Sequence, residues 1–301
     1  MFRHLLVPLD GSKLAEAALP VAASLAGTLG IPATLLHVIE QDAPEEIHKN
    51  RHLTEAGEAK AYLAEAAKRA FPPKVKINWH VHTAAVDDVV RSIVYHAQEE
   101  MQPDLIVLCS HGRSEMRDLV SSSIAQQVVA ESTIPVLLIK PGEDVEAPFK
   151  LLNILVPLDD ESIHDASLPY AEELARAYGA RLDLICVIPT LGTLTGEPAA
   201  AGSMLPATAM VYLEMKEENA RQHFQEHLDD FNHKGIPATA EIARGDPAAV
   251  IAKKAQDMHS DLIVFGTHGN AGLEAFWRRS VAANVARRTE VPLLLVPLPD
   301  A

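Results

Sequence analysis

The chain has 301 residues, 48% of them hydrophobic, enough for two ordinary domains of about 150 residues each. Its formal net charge is −15, shared between the halves: residues 1–150 carry 14 basic and 20 acidic side chains, and residues 151–301 carry 12 and 21. Two acidic halves argue against nucleic acid or an anionic membrane as a partner, since both need a cationic surface.

The two cysteines, Cys109 and Cys186, lie in different halves without CxxC or disulfide spacing, which suits a reducing compartment, so the cytoplasm is expected. The opening MFRHLLVPLDGS has too short an apolar run for a signal peptide, and no run approaches the roughly 20 residues that span a bilayer.

In chain order, a buried-type strand at Leu5 to Leu9 stops at Asp10-Gly11-Ser12, where Asp or Ser can cap the helix AEAALPVAASLAGTLG. Pro20 falls inside that pattern and is expected to bend it. A strand from Ala33 to Ile39 leads through an acidic loop to a helix over about residues 50–71. The run VKINWHVH alternates, with Val75, Ile77, Trp79 and Val81 on one face and Lys76, Asn78, His80 and His82 on the other, as in an edge strand. A helix from about Val86 to Glu100 feeds a strand at Asp104.

The second half repeats this order. Its strands are expected at Leu151 to Leu158, Leu182 to Ile188 and Pro237 to Ala243, and its helices at 212–233 and from Pro247 to Met258. Residues 189–209, rich in Pro, Gly, Ala and Thr, read as a long mobile loop. The junction is KPGEDVEAPFK at 140–150, giving expected domains of 1–145 and 150–301.

The repeat is strongest at 104–140 and 261–296, where Asp104, Gly112 and Pro135 recur 157 positions on as Asp261, Gly269 and Pro292. Each copy reads strand, loop, helix, strand, and such a loop offers backbone N–H groups and a helix N-terminus to a phosphate. Strands alternating with helices imply an α/β fold: two repeats of a five-stranded parallel, doubly wound (Rossmann-like) sheet with helices on both faces. If each order is 3-2-1-4-5, ligand crevices form beyond strands one and four. Asp10 and the 109–123 loop would face one, Asp159 and the 266–280 loop the other.

These segments resemble the universal stress protein family, here in tandem: the opening LLVPLD strand, the DLIV strand with its HG loop, and the closing PVLLI and PLLLV strands. The resemblance covers nearly the whole chain. It implies ATP, with or without Mg²⁺, as ligand of members carrying G-2x-G-9x-G-S/T after the fourth strand. The matching positions here hold Cys109, Gly112, Ser122 and Ser123, and Gly266, Gly269, Arg279 and Ser280. Both copies therefore depart from the pattern. The second keeps more of its glycines and ranks slightly ahead. The resemblance further places adenine and ribose near Pro8, Asp10 and Val38 in one repeat and near Pro157, Asp159 and Val187 in the other. It also makes the final strands surfaces for pairing domains and, in a homodimer, subunits.

Plainer roles compete at each position. Asp10, Asp159, Ser123 and Ser280 can cap helices. His111 and His268 can bond to backbone rather than phosphate. His80 and His82 share a strand face but lack a third metal ligand in the sequence, so no metal site is expected. Cys109 reads as packing. The leading function is an adenine-nucleotide-binding stress-response module of regulatory character. An interaction module without nucleotide comes second. An ATP-hydrolysing enzyme comes last, since neither GxxxxGK[ST] nor a paired-metal carboxylate cluster is evident.

Overall fold

The computed structural model describes residues 1–48, 50–110, 123–141, 149–159, 162–194, 196–267 and 280–298. Two compact units divide the chain. Unit 1 comprises Met1–Lys150 with Pro292–Pro297, and unit 2 comprises Leu151–Thr267 with the helix Val281–Ala286 and Leu298.

In unit 1, β1 (Leu5–Pro8) is wholly buried and pairs in parallel with β2 (Ala33–Glu40) on one side. A two-residue hairpin, β3 (Glu46–Ile47) and β4 (Asn50–Arg51), follows β2. The outer strand β5 (Ile77–Val86) pairs with β2, and β6 (Leu105–Cys109) lies on the other side of β1, followed by β7 (Val136–Ile139). The parallel order β5-β2-β1-β6-β7 is 3-2-1-4-5 once the hairpin is set aside. Continuous apolar runs such as LLVP and VLLI suit such a sheet, because its strands bury both faces.

Unit 2 repeats the topology with β8 (Asn153–Pro157), β9 (Arg181–Ile188), β10 (Ala238–Arg244) and β11 (Leu262–Thr267), all parallel, in the order β10-β9-β8-β11. The last strand, β12 (Leu293–Pro297), belongs to unit 1, where it runs antiparallel to β7 with Leu293 opposite Leu138 and Leu295 opposite Val136. Five parallel strands are thus present in unit 1, and four are present among the described residues of unit 2.

Three local expectations change. Pro20 does not bend a helix: the chain makes a short turn at Lys13–Glu16 and starts afresh at Leu19–Leu29, with Pro20 in the first turn, where its missing N–H has no partner to lose. Pro169 repeats this in Leu168–Tyr178 after a 3-10 turn at Ser162–Ser167. Residues 189–209 are not an extended loop. Gly196–Met204 is helical, and Pro206 opens a 28-residue helix that runs to His233. The helix expected from residue 50 begins at Ala56, and the β3–β4 hairpin occupies its anticipated start. At the head of this region Gly11 has φ +90°, and a Cβ there would sit 2.7 Å from Leu53 Cδ1. Only glycine fits without strain or displacement.

Candidate functional site

The carboxyl ends of β1, β2 and β6 converge in unit 1, as a doubly wound sheet requires where the strand order reverses. They bound a cavity of about 300 Å³, the lower end of the range for small-molecule sites. Pro8, Asp10, Val38, Cys109 and Ser123 all line it. Three segments far apart in sequence therefore bring these expected site residues to one place.

Each polar group has a definite setting. Asp10 Oδ1 accepts the Ser12 N–H at 2.8 Å, and Oδ2 lies 4.0 Å from His48 Nε2. Ser12 caps the following turn, its Oγ accepting the Ala15 N–H at 3.1 Å. Ser123 caps the helix Ile124–Glu131 in a reciprocal box with Gln126. The amino end of that helix opens on the cavity, where its orphan N–H groups and dipole favour an anion. Burial, and secondarily the Asp10 charge, push the Cys109 thiol up to about 12, so it is a neutral packing group.

Sequence reasoning missed the histidines. His37 is buried within β2, with Nδ1 2.8 Å from the Leu9 carbonyl oxygen and Nε2 3.0 Å from that of Leu53. It ties the end of β1 to the segment after the β3–β4 hairpin, which roofs the cavity with Ile47, His48 and His52. His52 Nε2 lies 3.7 Å from Glu40 Oε2, whereas its buried Nδ1 has no hydrogen-bond partner among the described residues. Apolar walls come from Leu36, Val89 and Ile93. A lone His in an apolar strand and a polar hairpin without periodicity carry no sequence signal for such a site.

The corresponding region of unit 2 is arranged differently. Pro157 and Val187 lie near the ends of β8 and β9. Asp159 Oδ1 is 2.8 Å from His164 Nδ1. Gly266 is closely backed, since a Cβ would come within 2.8 Å of Leu298 Cδ2 and 3.2 Å of the His164 carbonyl oxygen. Ser280 caps the helix Val281–Ala286, accepting the Ala283 N–H at 3.0 Å. Gly112, Ser122, Gly269 and Arg279, with His111 and His268, lie outside the described residues.

His80 and His82 do acquire a neighbour. The buried ring of His96 places Nε2 3.0 Å from His82 Nδ1 and Nδ1 2.7 Å from Glu100 Oε2, with His80 at a ring separation of 4.9 Å. The Glu100–His96–His82 chain is a satisfied hydrogen-bond relay.

The universal stress protein family model matches residues 1–140 and again 151–297. The chain belongs to the universal stress protein family. Universal stress protein MJ0531 of Methanocaldococcus jannaschii is 27% identical over 146 residues, spanning 48% of this chain and 82% of that protein. Universal stress protein Rv2005c of Mycobacterium tuberculosis is 22% identical over 299 residues, 96% of this chain and 95% of the relative. A crystal structure of a universal stress protein from Archaeoglobus fulgidus matches 99% of this chain and 97% of its own at 19% identity and a TM-score of 0.69, a likeness of fold. This universal stress protein thus carries the family match in both halves and aligns along nearly the whole of a relative of similar length. No helix among the described residues is long and apolar enough to cross a membrane.

Proposed function

We propose that this universal stress protein is a regulatory, adenine-nucleotide-binding module of a cytoplasmic stress response, and that unit 1 carries its nucleotide site. The observation behind the reading is the meeting of Pro8, Asp10, Val38, Cys109 and Ser123 at one cavity. Val38, Val89 and Ile93 offer an apolar surface to an adenine ring. Asp10, at a strand end, suits a ribose hydroxyl as an acceptor, and the first turn of Ile124–Glu131 suits a phosphate. ATP with Mg²⁺ fits this acidic chain better than ATP alone, because the ion offsets phosphate charge.

The sequence ranks the second repeat ahead, but its geometry supports it less. Gly266 is closely backed by Leu298, and Asp159 is held by His164. Unit 2 is therefore read as the interaction half. Homodimer formation through the final strands is carried over from the family resemblance.

Thermal unfolding with ATP and Mg²⁺ tests the reading. At 100 times the dissociation constant, a native-state ligand adds about 2.7 kcal/mol, so the melting temperature should rise by a few degrees. Asp10→Ala should abolish most of that rise, while Asp159→Ala should keep it. A wild-type protein indifferent to ATP would leave the interaction reading in front.

A further inference from the structure

The long helix Pro206–His233 carries His223 and His227, four residues apart and hence on one face. Both point at Asp165, which lies on the 3-10 turn Ser162–Ser167, 58 residues before His223. His223 Nε2 is 2.9 Å from Asp165 Oδ1, His227 Nε2 is 3.3 Å from Oδ2, and the two Nε2 atoms are 3.3 Å apart. All three side chains are about one-fifth exposed. The His227 ring stacks on Phe231 at 26° and meets His223 edge-on, so packing orients both imidazoles.

Proton counting makes this cluster unlike an ordinary hydrogen-bonded trio. A carboxylate only accepts, so each imidazole must turn an N–H toward it to be satisfied. Two such N–H groups then abut across 3.3 Å. Removing one of those protons instead leaves a nitrogen lone pair facing carboxylate oxygen. A single divalent cation resolves the conflict, because it draws three lone pairs to one centre. Ligands held tetrahedrally at about 2.0–2.1 Å from zinc stand roughly 3.3–3.4 Å apart, which the two 3.3 Å separations match, while the 2.9 Å His223–Asp165 contact would lengthen slightly on binding. The relay Glu100–His96–His82 has no such conflict, since each N–H there finds an acceptor.

We propose that Asp165, His223 and His227 form a binding site for a late first-row divalent cation, Zn²⁺ foremost, in unit 2. Two imidazoles and one carboxylate suit such an ion and leave coordination positions open to water or a further ligand. The ion fastens the 3-10 turn to the long helix. That turn carries His164, the partner of Asp159, so metal occupancy steadies the segment beside it.

The test is a Zn²⁺ titration of the tag-free, chelator-dialysed full-length chain against a chromophoric competitor. Variants His223→Ala, His227→Ala and Asp165→Asn are compared with His82→Ala, which disrupts the other histidine group. Wild type and His82→Ala should share a zinc equivalent that each of the first three variants loses or binds about tenfold or more weakly, since affinity depends on the ligand set. Equal stoichiometry and affinity in wild type and the first three variants would overturn the site. Wild-type crystals soaked in Zn²⁺ and measured at the zinc absorption edge give a readout free of any folding defect. An anomalous peak among the three side chains supports the proposal, and no peak there at millimolar zinc refutes it.

Discussion

At Cys109 a single side chain shows how position sets chemistry. An unperturbed thiol ionises near 9, but burial, helped by the Asp10 charge, raises Cys109 to about 12. Three units mean about a thousandfold less thiolate at any pH below both values. Iodoacetamide at pH 8 should therefore label Cys109 on the order of a thousandfold faster in urea than in the folded chain, and the native rate should climb tenfold per pH unit above 8. Mass-spectrometric timing of labelling checks this. Native labelling as fast as that of a free thiol would contradict the buried, neutral reading. The packing role was legible in the sequence because Cys109 ends an apolar strand. The size of the shift was not, because it comes from burial by the folded sheet and, secondarily, from Asp10, 99 residues away.

Among the elements, the strands were readable and the cover of the cavity was not. Runs such as LLVP and LIVLC are continuous, apolar and bounded by turn residues, and they fold as expected. The β3–β4 hairpin has two-residue strands in a charged segment, too short for periodicity to register. Prolines misled in the opposite sense: Pro20, Pro169 and Pro206 begin helices, where φ is already suitable, and Ala-rich composition carries Gly196–Met204 into a helix. His37 is the element-scale test, since it links the Leu9 carbonyl at the end of β1 to that of Leu53 beyond the hairpin. His37→Leu should cost about 1–3 kcal/mol by leaving a carbonyl without its donor, and should weaken nucleotide binding through the displaced roof. Urea denaturation and calorimetry measure the two effects. Unchanged stability with unchanged affinity would show that the hairpin is positioned by other contacts.

At the scale of the whole molecule, the 157-residue repeat was visible in the sequence and the different environments of its two copies were not. Asp10 and Asp159 occupy equivalent places after similar strands, yet Asp10 borders a cavity while Asp159 meets His164. Leu298, distant in sequence from Gly266, packs against it. Such differences arise from side chains that converge only on folding, so motif matching scores both copies as partial and ranks the second slightly ahead, without sight of either environment. The proposed nucleotide function accordingly predicts an asymmetric protein, with one occupied half per chain. The most direct measurement is the nucleotide bound at saturation: incubate the chain with ATP and Mg²⁺, remove free ligand, denature, and quantify released nucleotide by mass spectrometry. The account predicts about one equivalent per chain, lost in Asp10→Ala and retained in Asp159→Ala. No bound nucleotide, or one lost through Asp159→Ala alone, would contradict it.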